Sequence, residues 1–242
     1  MSTVVTISTI VAFPDMIEET IVGQEQVQIE GEAATAETRF FIAKDQTEML
    51  EGYERFNIRH TQKYKIEGQL GLREFKSILR IINLRFYKKN NYDYTFTMGS
   101  SKADITHNAL NRLREATPVK LQPFEVNLIE AIEKFIRYSP NDIKIVSGWF
   151  SNLNLPNLTN ALLTGVDANL GDDWQRFKDT QGVTLSNIEL QITDNDFNNG
   201  YVKISLSKRG ILFSHSNITT KKVLELAEKI LAILARSLPL TR

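Results

Sequence analysis

The sequence contains no cysteine. That excludes disulfides, thiolate nucleophiles, iron–sulfur clusters and cysteine-ligated zinc, and it removes any pointer to an oxidising compartment. Histidine is nearly as scarce. His60, His107 and His215 stand alone in different segments, without the HxH or HExxH spacing that places two imidazoles on one metal. Any one of them could serve as a general base, since the reference pKa lies near neutrality, but none has a local partner, and surface or interface roles are the commoner reading. No Gly-x-Ser-x-Gly elbow accompanies them. Long apolar runs are missing too. The patch "ILAILA" near the C-terminus is far shorter than the roughly 20 residues that span a bilayer. The opening "MSTVVTISTIVAF" lacks a charged leading region and is broken by Ser and Thr, so it does not read as a secretory signal. The expectation is a cytoplasmic protein that engages no membrane.

Net charge is absent as well, with 29 basic and 29 acidic residues among 242. The whole-chain balance therefore gives no argument for a polyanionic partner, and placement has to supply one. Residues 1–50 carry nine acids against Arg39 and Lys44, whereas residues 51–100 carry ten bases against five acids. The segment 151–200 is acidic again, and the last stretch is basic, with Lys203, Lys208, Arg209, Lys221 and Lys222. Such banding lets a basic face meet an acidic one within the chain or on a second copy, and a protein partner or homo-oligomer is expected on that ground.

What is present reads as α+β. Val5, Ile7, Thr9, Val11 and Phe13 share one face of an extended segment, "EQVQIEG" alternates again, and "TRFFIAK" is a third short run. A helix is predicted over Gln46–Phe56 and a strand around Tyr64 and Ile66. Leu72, Phe75, Leu79, Ile82 and Phe86 then fall on one stripe of a helix, with Arg73, Lys76 and Arg80 in a row beside it and Lys88 and Lys89 near its end. "ILRIINLRFY" also fits a strand. Tyr92, Tyr94, Phe96 and Met98 alternate as a strand, and "GSSKADITHNALNRLREA" opens a helix with Ser101 and Asp104 as a capping box. A helix after Pro123, a strand over Ile143–Phe150, two or three antiparallel strands through "GVTLSNIELQIT" and "GYVKISLSKRGILFSHS", and a last helix over Thr220–Leu238 complete the pattern. The leucines of "FSNLNLPNLTNALLTG" keep no fixed interval, which excludes a solenoid. The predicted fold is mainly antiparallel sheet with a helical middle and a long C-terminal helix packed on a sheet or a subunit. A β-rich subdomain over 1–70 and an α+β subdomain over 71–242 are expected, with one domain as the alternative.

Three patterns could carry function. Arg73, Lys76, Arg80, Lys88 and Lys89 could follow a nucleic-acid backbone, the ordinary alternative being a solvated face. Gly99, Ser100, Ser101 and Lys102, between a strand and a helix N-terminus, could hold a phosphate. They lack the first Gly and the final Ser or Thr of a P-loop, and a well-capped helix explains them equally. Asp142, Lys144 and Glu189 approach the arrangement of a magnesium nuclease, although Gln191 stands where a Lys would strengthen it. "DNDFNNG", Asp194 to Gly200, offers calcium-loop acids, but its Gly is one place late and Ser205 occupies the twelfth position, so turn chemistry explains it better. Trp149, Phe150 and Trp174 are expected to fill a core or anchor a partner. No metal or cofactor is expected. The sequence favours a non-catalytic intracellular binding or assembly protein engaging nucleic acid or another phosphate-bearing ligand. A metal-dependent phosphodiester hydrolase and a small-nucleotide module are the rivals.

Overall fold

A computed structural model describes residues 3–44, 51–99 and 103–237. It is a sheet-dominated α+β structure in which the described strand pairs are antiparallel. No described helix is long and apolar enough to cross a membrane. Two compact units divide at Pro123 and Phe124, the second also taking in the first residues up to Val4.

The first unit, Val5–Pro123, contains β1 (Thr3–Ala12) from Val5 onward, β2 (Ile21–Ile29), β3 (Glu32–Ile42), β4 (Tyr53–Leu70), β5 (Arg73–Lys89), β6 (Tyr94–Met98), α1 (Ala103–Ala116) and β7 (Lys120–Pro123). Strands follow the order β2-β3-β4-β5-β6-β1, with β7 also paired to β1. Period-2 alternation decides the faces. Phe40, Phe56, Ile58, Ile82, Leu84 and Phe86 point to one side and form a core with Ala109, Leu110 and Leu113 of α1. Their neighbours Arg39, Arg59, Asn83 and Ile81 point to the other side and are exposed. The aromatic rings mesh at edge-to-face and stacked distances, Phe40 lying 5.0 Å from Phe56 and 5.1 Å from Phe86. Gly23 is required where α1 crosses β2, because a Cβ there would sit 2.7 Å from the Arg112 carbonyl oxygen.

The strand alternative for "ILRIINLRFY" is the structure, and the helix over residues 72–86 is overturned: the segment is β5, paired with β4 from Tyr53↔Lys89 to Leu70↔Arg73. The i, i+3, i+7 stripe is a coincidence of apolar residues on both strand faces. Ile82, Leu84 and Phe86 go inward together only at a spacing of two. The complementary edge of an 18-residue β4 supplies a hydrogen-bond partner for nearly every position, and β-branched and aromatic residues fit that pleated surface. The helix predicted for Gln46–Phe56 is also corrected at its end, where Tyr53–Phe56 begin β4. Residues 45–50 of that prediction lie outside the described residues.

The second unit contains α2 (Leu128–Tyr138), β8 (Ile143–Leu155), β9 (Leu158–Thr164), α3 (Asp172–Lys178), β10 (Thr184–Thr193), β11 (Tyr201–Ser207), β12 (Ile211–Ser214) and α4 (Thr220–Leu234). Its strands run β12-β11-β10-β8-β9. Asn127 caps α2 by accepting from the Ile129 and Glu130 N–H groups, and Thr219 caps α4 by accepting from Lys222 N. α4 packs on α2, which packs on β8 and β10. Trp174 and Phe177 of α3 close over Phe150, and the indole lies where a Cβ on Gly148 would approach it to 2.3 Å. β9 goes beyond the sequence expectation: the Asn- and Leu-rich stretch is a strand reached through Asn152, Asn154 and Asn157 at positive φ.

Candidate nucleic-acid interface

The β4–β5 hairpin concentrates charge that the whole chain does not show. Between Tyr53 and Lys89 lie ten basic side chains and three acidic ones, a net of +7 in a chain of net zero. Arg73, Lys76, Arg80, Lys88 and Lys89 all lie on β5, but the strand divides them. Arg73 and Lys89 are on the face of the odd-numbered residues, and Lys76, Arg80 and Lys88 are on the face that carries Ile82, Leu84 and Phe86. The single basic row predicted from helical spacing therefore does not exist. Arg80 and Lys88 are about 26 Å apart along the strand at roughly 3.3 Å per residue. Arg80 lies over the Tyr64 ring at 5.1 Å, Lys88 over Phe13 at 5.2 Å and Lys89 over Tyr53 at 5.5 Å. Arg73 faces Glu32 at 3.9 Å, a loose contact between two exposed side chains.

The same alternation assembles a set that helical spacing hid. On the face opposite α1, Arg39 of β3 is in register with Arg59 of β4, so two guanidinium side chains stand side by side on adjacent strands. Lys63 and Lys65 continue the Arg59 row along β4, both exposed. Arg55 and Arg85 lie on this face and are half-buried. Glu37 relieves part of the repulsion by pairing with Arg39 at 2.7 Å, and its carboxyl is held below the usual range by the Arg39 hydrogen bond. Lys63 donates one hydrogen bond to the Gln28 carbonyl. Arg59 has no ion-pair partner among the described residues. A strand reading of residues 53–89 from the outset would have found this row.

At the β2–β3 turn Glu30 adopts φ 52° and accepts from Ser77 Oγ and Lys76 N, both at 2.8 Å, bracing the outer half of the hairpin. The Ser77 hydrogen bond, more than any other contact, keeps the Glu30 carboxyl below its usual pKa.

On the α1 side, a polar cluster is buried. Arg112 donates to the Thr61 carbonyl at 2.7 Å and to Glu25 at 2.5 Å, and its Nη1 lies 3.3 Å from both Thr38 Oγ1 and His60 Nδ1. Arginine only donates, so Nδ1 is the acceptor and the His60 proton sits on Nε2. Burial, aided by the Arg112 charge, pushes His60 from 6.5 down to about 4. A neutral, fully buried imidazole bolted to Arg112 is a structural group.

The other predicted residues fall as follows. Gly99 follows β6 with φ 115°, and Ser100, Ser101 and Lys102 lie outside the described residues. Asp142 lies in the turn before β8, Lys144 is opposite Gln191 and Glu189 is opposite Ser147. Asp142 faces Lys229 at 3.6 Å and Glu189 faces Lys203 at 3.9 Å. No cluster of three or more His, Asp or Glu suited to a metal occurs among the described residues. Asp194 and Asp196 of the "DNDFNNG" turn hold Lys222 at 2.7 and 2.5 Å. His107 lies on α1, and His215 stacks edge-on against Phe213 at 4.5 Å.

Compared with known proteins, the chain matches no family model and no curated sequence.

Proposed function

We propose that this chain is a non-catalytic binding protein that engages nucleic acid through the β4–β5 hairpin. The observation that carries the reading is the net charge of +7 on one hairpin of a neutral chain. Self-repulsion among so many like charges is relieved most by a polyanion, and release of its counterions drives association. A nucleic-acid ligand accords with a location inside the cell. Protein contacts accompany this role: Trp149 and Leu162 are opposite one another on β8 and the edge strand β9, 42% and 55% exposed, which supports association with a second copy. Light scattering across a concentration series tests that part, and a monomer throughout would remove it.

The main test is fluorescence anisotropy with labelled 20-nucleotide single-stranded DNA and RNA and a 20-base-pair duplex at 50 mM salt. Binding is expected. Five phosphate contacts would weaken it by roughly two orders of magnitude at 200 mM salt. Absence of binding to every probe at 50 mM salt refutes the reading. With magnesium or manganese added the probes should remain intact. Cleavage products would instead direct attention to Asp142, Lys144 and Glu189.

A further inference from the structure

Resting on the nucleic-acid reading of the hairpin, we infer that the ligand is a single strand, laid along β4 on the face of the sheet opposite α1. Four exposed cations mark its path. Arg39 and Arg59 stand in register on neighbouring strands, and Lys63 and Lys65 extend the Arg59 row toward the hairpin tip, Lys63 while donating to the Gln28 carbonyl and Lys65 in register with Ser77, which holds the Glu30 carboxylate at the far end of the path. Cross-strand side chains in register have Cβ atoms about 5 Å apart, a spacing at which like charges destabilise a sheet unless an anion lies between them. Glu37 pairs with Arg39 at 2.7 Å and its charge also acts on Arg59, so it offsets part of this repulsion; Arg59 makes no ion pair of its own among the described residues, which leaves its guanidinium to a phosphate.

The groups between these cations select a single strand over a duplex. Asn57 is in register with Arg85, Asn83 with Arg59, and Ile81 with Thr61, so amides and a half-exposed isoleucine interleave the charges on the same face. Phe41 of β3 adjoins Asn57. Amides hydrogen-bond base edges, and apolar and aromatic groups cover base faces, but a base offers both only when it is unpaired. A duplex would place two phosphate backbones on this face and leave the amides and Ile81 without a partner. Lys76 and Arg80 point to the opposite side of the hairpin and take no part.

The test uses the full chain with a 20-nucleotide single strand, as DNA and as RNA, and the 20-base-pair duplex, over a salt series. Single strands should bind at least tenfold more tightly than duplex. Arg59→Ala should weaken single-strand binding several-fold and reduce the slope of log Kd against log salt by about 0.7. Lys63→Ala with Lys65→Ala should reduce it by about 1.4. Lys76→Ala with Arg80→Ala should leave single-strand affinity within twofold. Unchanged circular dichroism keeps each comparison free of misfolding, and a variant that misfolds is replaced by Arg59→Gln or by Lys63→Gln with Lys65→Gln. Preference for the duplex, or equal losses from Lys76→Ala with Arg80→Ala, overturns the single-strand path while leaving the hairpin reading intact. Failure of the unaltered protein to bind any probe removes both.

Discussion

Replacing His60 with leucine should abolish a pH dependence that burial of its imidazole, with the Arg112 charge beside it, imposes on the first unit. His60 is 0% exposed, and its pKa falls from 6.5 in the unfolded chain to about 4 in the folded one. Between those values the unfolded state binds the extra proton, so stability is complete above pH 6.5 and is lost as pH falls toward 4. The full shift corresponds to about 3 kcal/mol, and at pH 4.5 about 2.5 kcal/mol of it is gone. Leucine removes the titration but also removes the Nδ1 lone pair that the Thr38 hydroxyl meets at 2.8 Å and that Arg112 Nη1 approaches at 3.3 Å. The variant should therefore be less stable than the parent at pH 7.5, with the gap narrowing by about 2.5 kcal/mol at pH 4.5. Taking the difference between the two proteins cancels the carboxylates, which titrate alike in both. Trp149 and Trp174 both belong to the other unit, so their fluorescence is the wrong probe. Amide exchange at Phe40, Ile58 and Leu84, corrected for intrinsic rates at each pH, measures the quantity directly. A gap that stays constant from pH 7.5 to 4.5 would refute the claim that His60 is held neutral.

Gly148→Ala should destabilise the second unit by about 1–3 kcal/mol, because the new methyl would lie 2.3 Å from the buried Trp174 ring; urea unfolding followed by tryptophan fluorescence measures it. Lys222→Met should cost about 1 kcal/mol at pH 7 by stripping Asp194 and Asp196 of their shared ammonium. Burial is the largest single influence and raises the Asp194 pKa, but the Lys222 hydrogen bond, the Asp196 N–H and the charges of Lys222 and Lys229 together outweigh it, and the net shift is downward. The cost should therefore shrink as pH falls through the carboxylate range, as parallel denaturation curves at pH 7 and pH 3 would reveal. Glu30→Ala should quicken amide exchange at Lys76 several-fold by removing the acceptor that braces the hairpin, with exchange at Leu84 unchanged.

Where apolar residues recur at a spacing of two or of three to four, the sequence by itself was decisive, even in β1 and β6, whose alternate Thr and Ser side chains are buried as well. The three N-terminal strands, the strand at Tyr94–Met98 and the amphipathic helices on either side of Pro123 follow from periods of 2.0 and 3.6 that the chain cannot satisfy otherwise. Strand patterning also marked "GVTLSNIELQIT" and "GYVKISLSKRG" as partners, since Asn187–Thr193 and Tyr201–Ser207 alternate in phase. Over residues 72–86 both periods fit. Ile78, Leu79, Ile81 and Ile82 place apolar groups on every side of the segment, so local pattern does not distinguish helix from strand there. Pairing with β4 decided it, a contact set by hydrogen bonds between strands joined only at their tip. That pairing also fixed the candidate site. A strand turns alternate residues to opposite faces, so it parted Lys76 and Arg80 from Arg73 and joined Arg59, Lys63 and Lys65 to Arg39, a residue from a different strand whose proximity no spacing within one segment can encode.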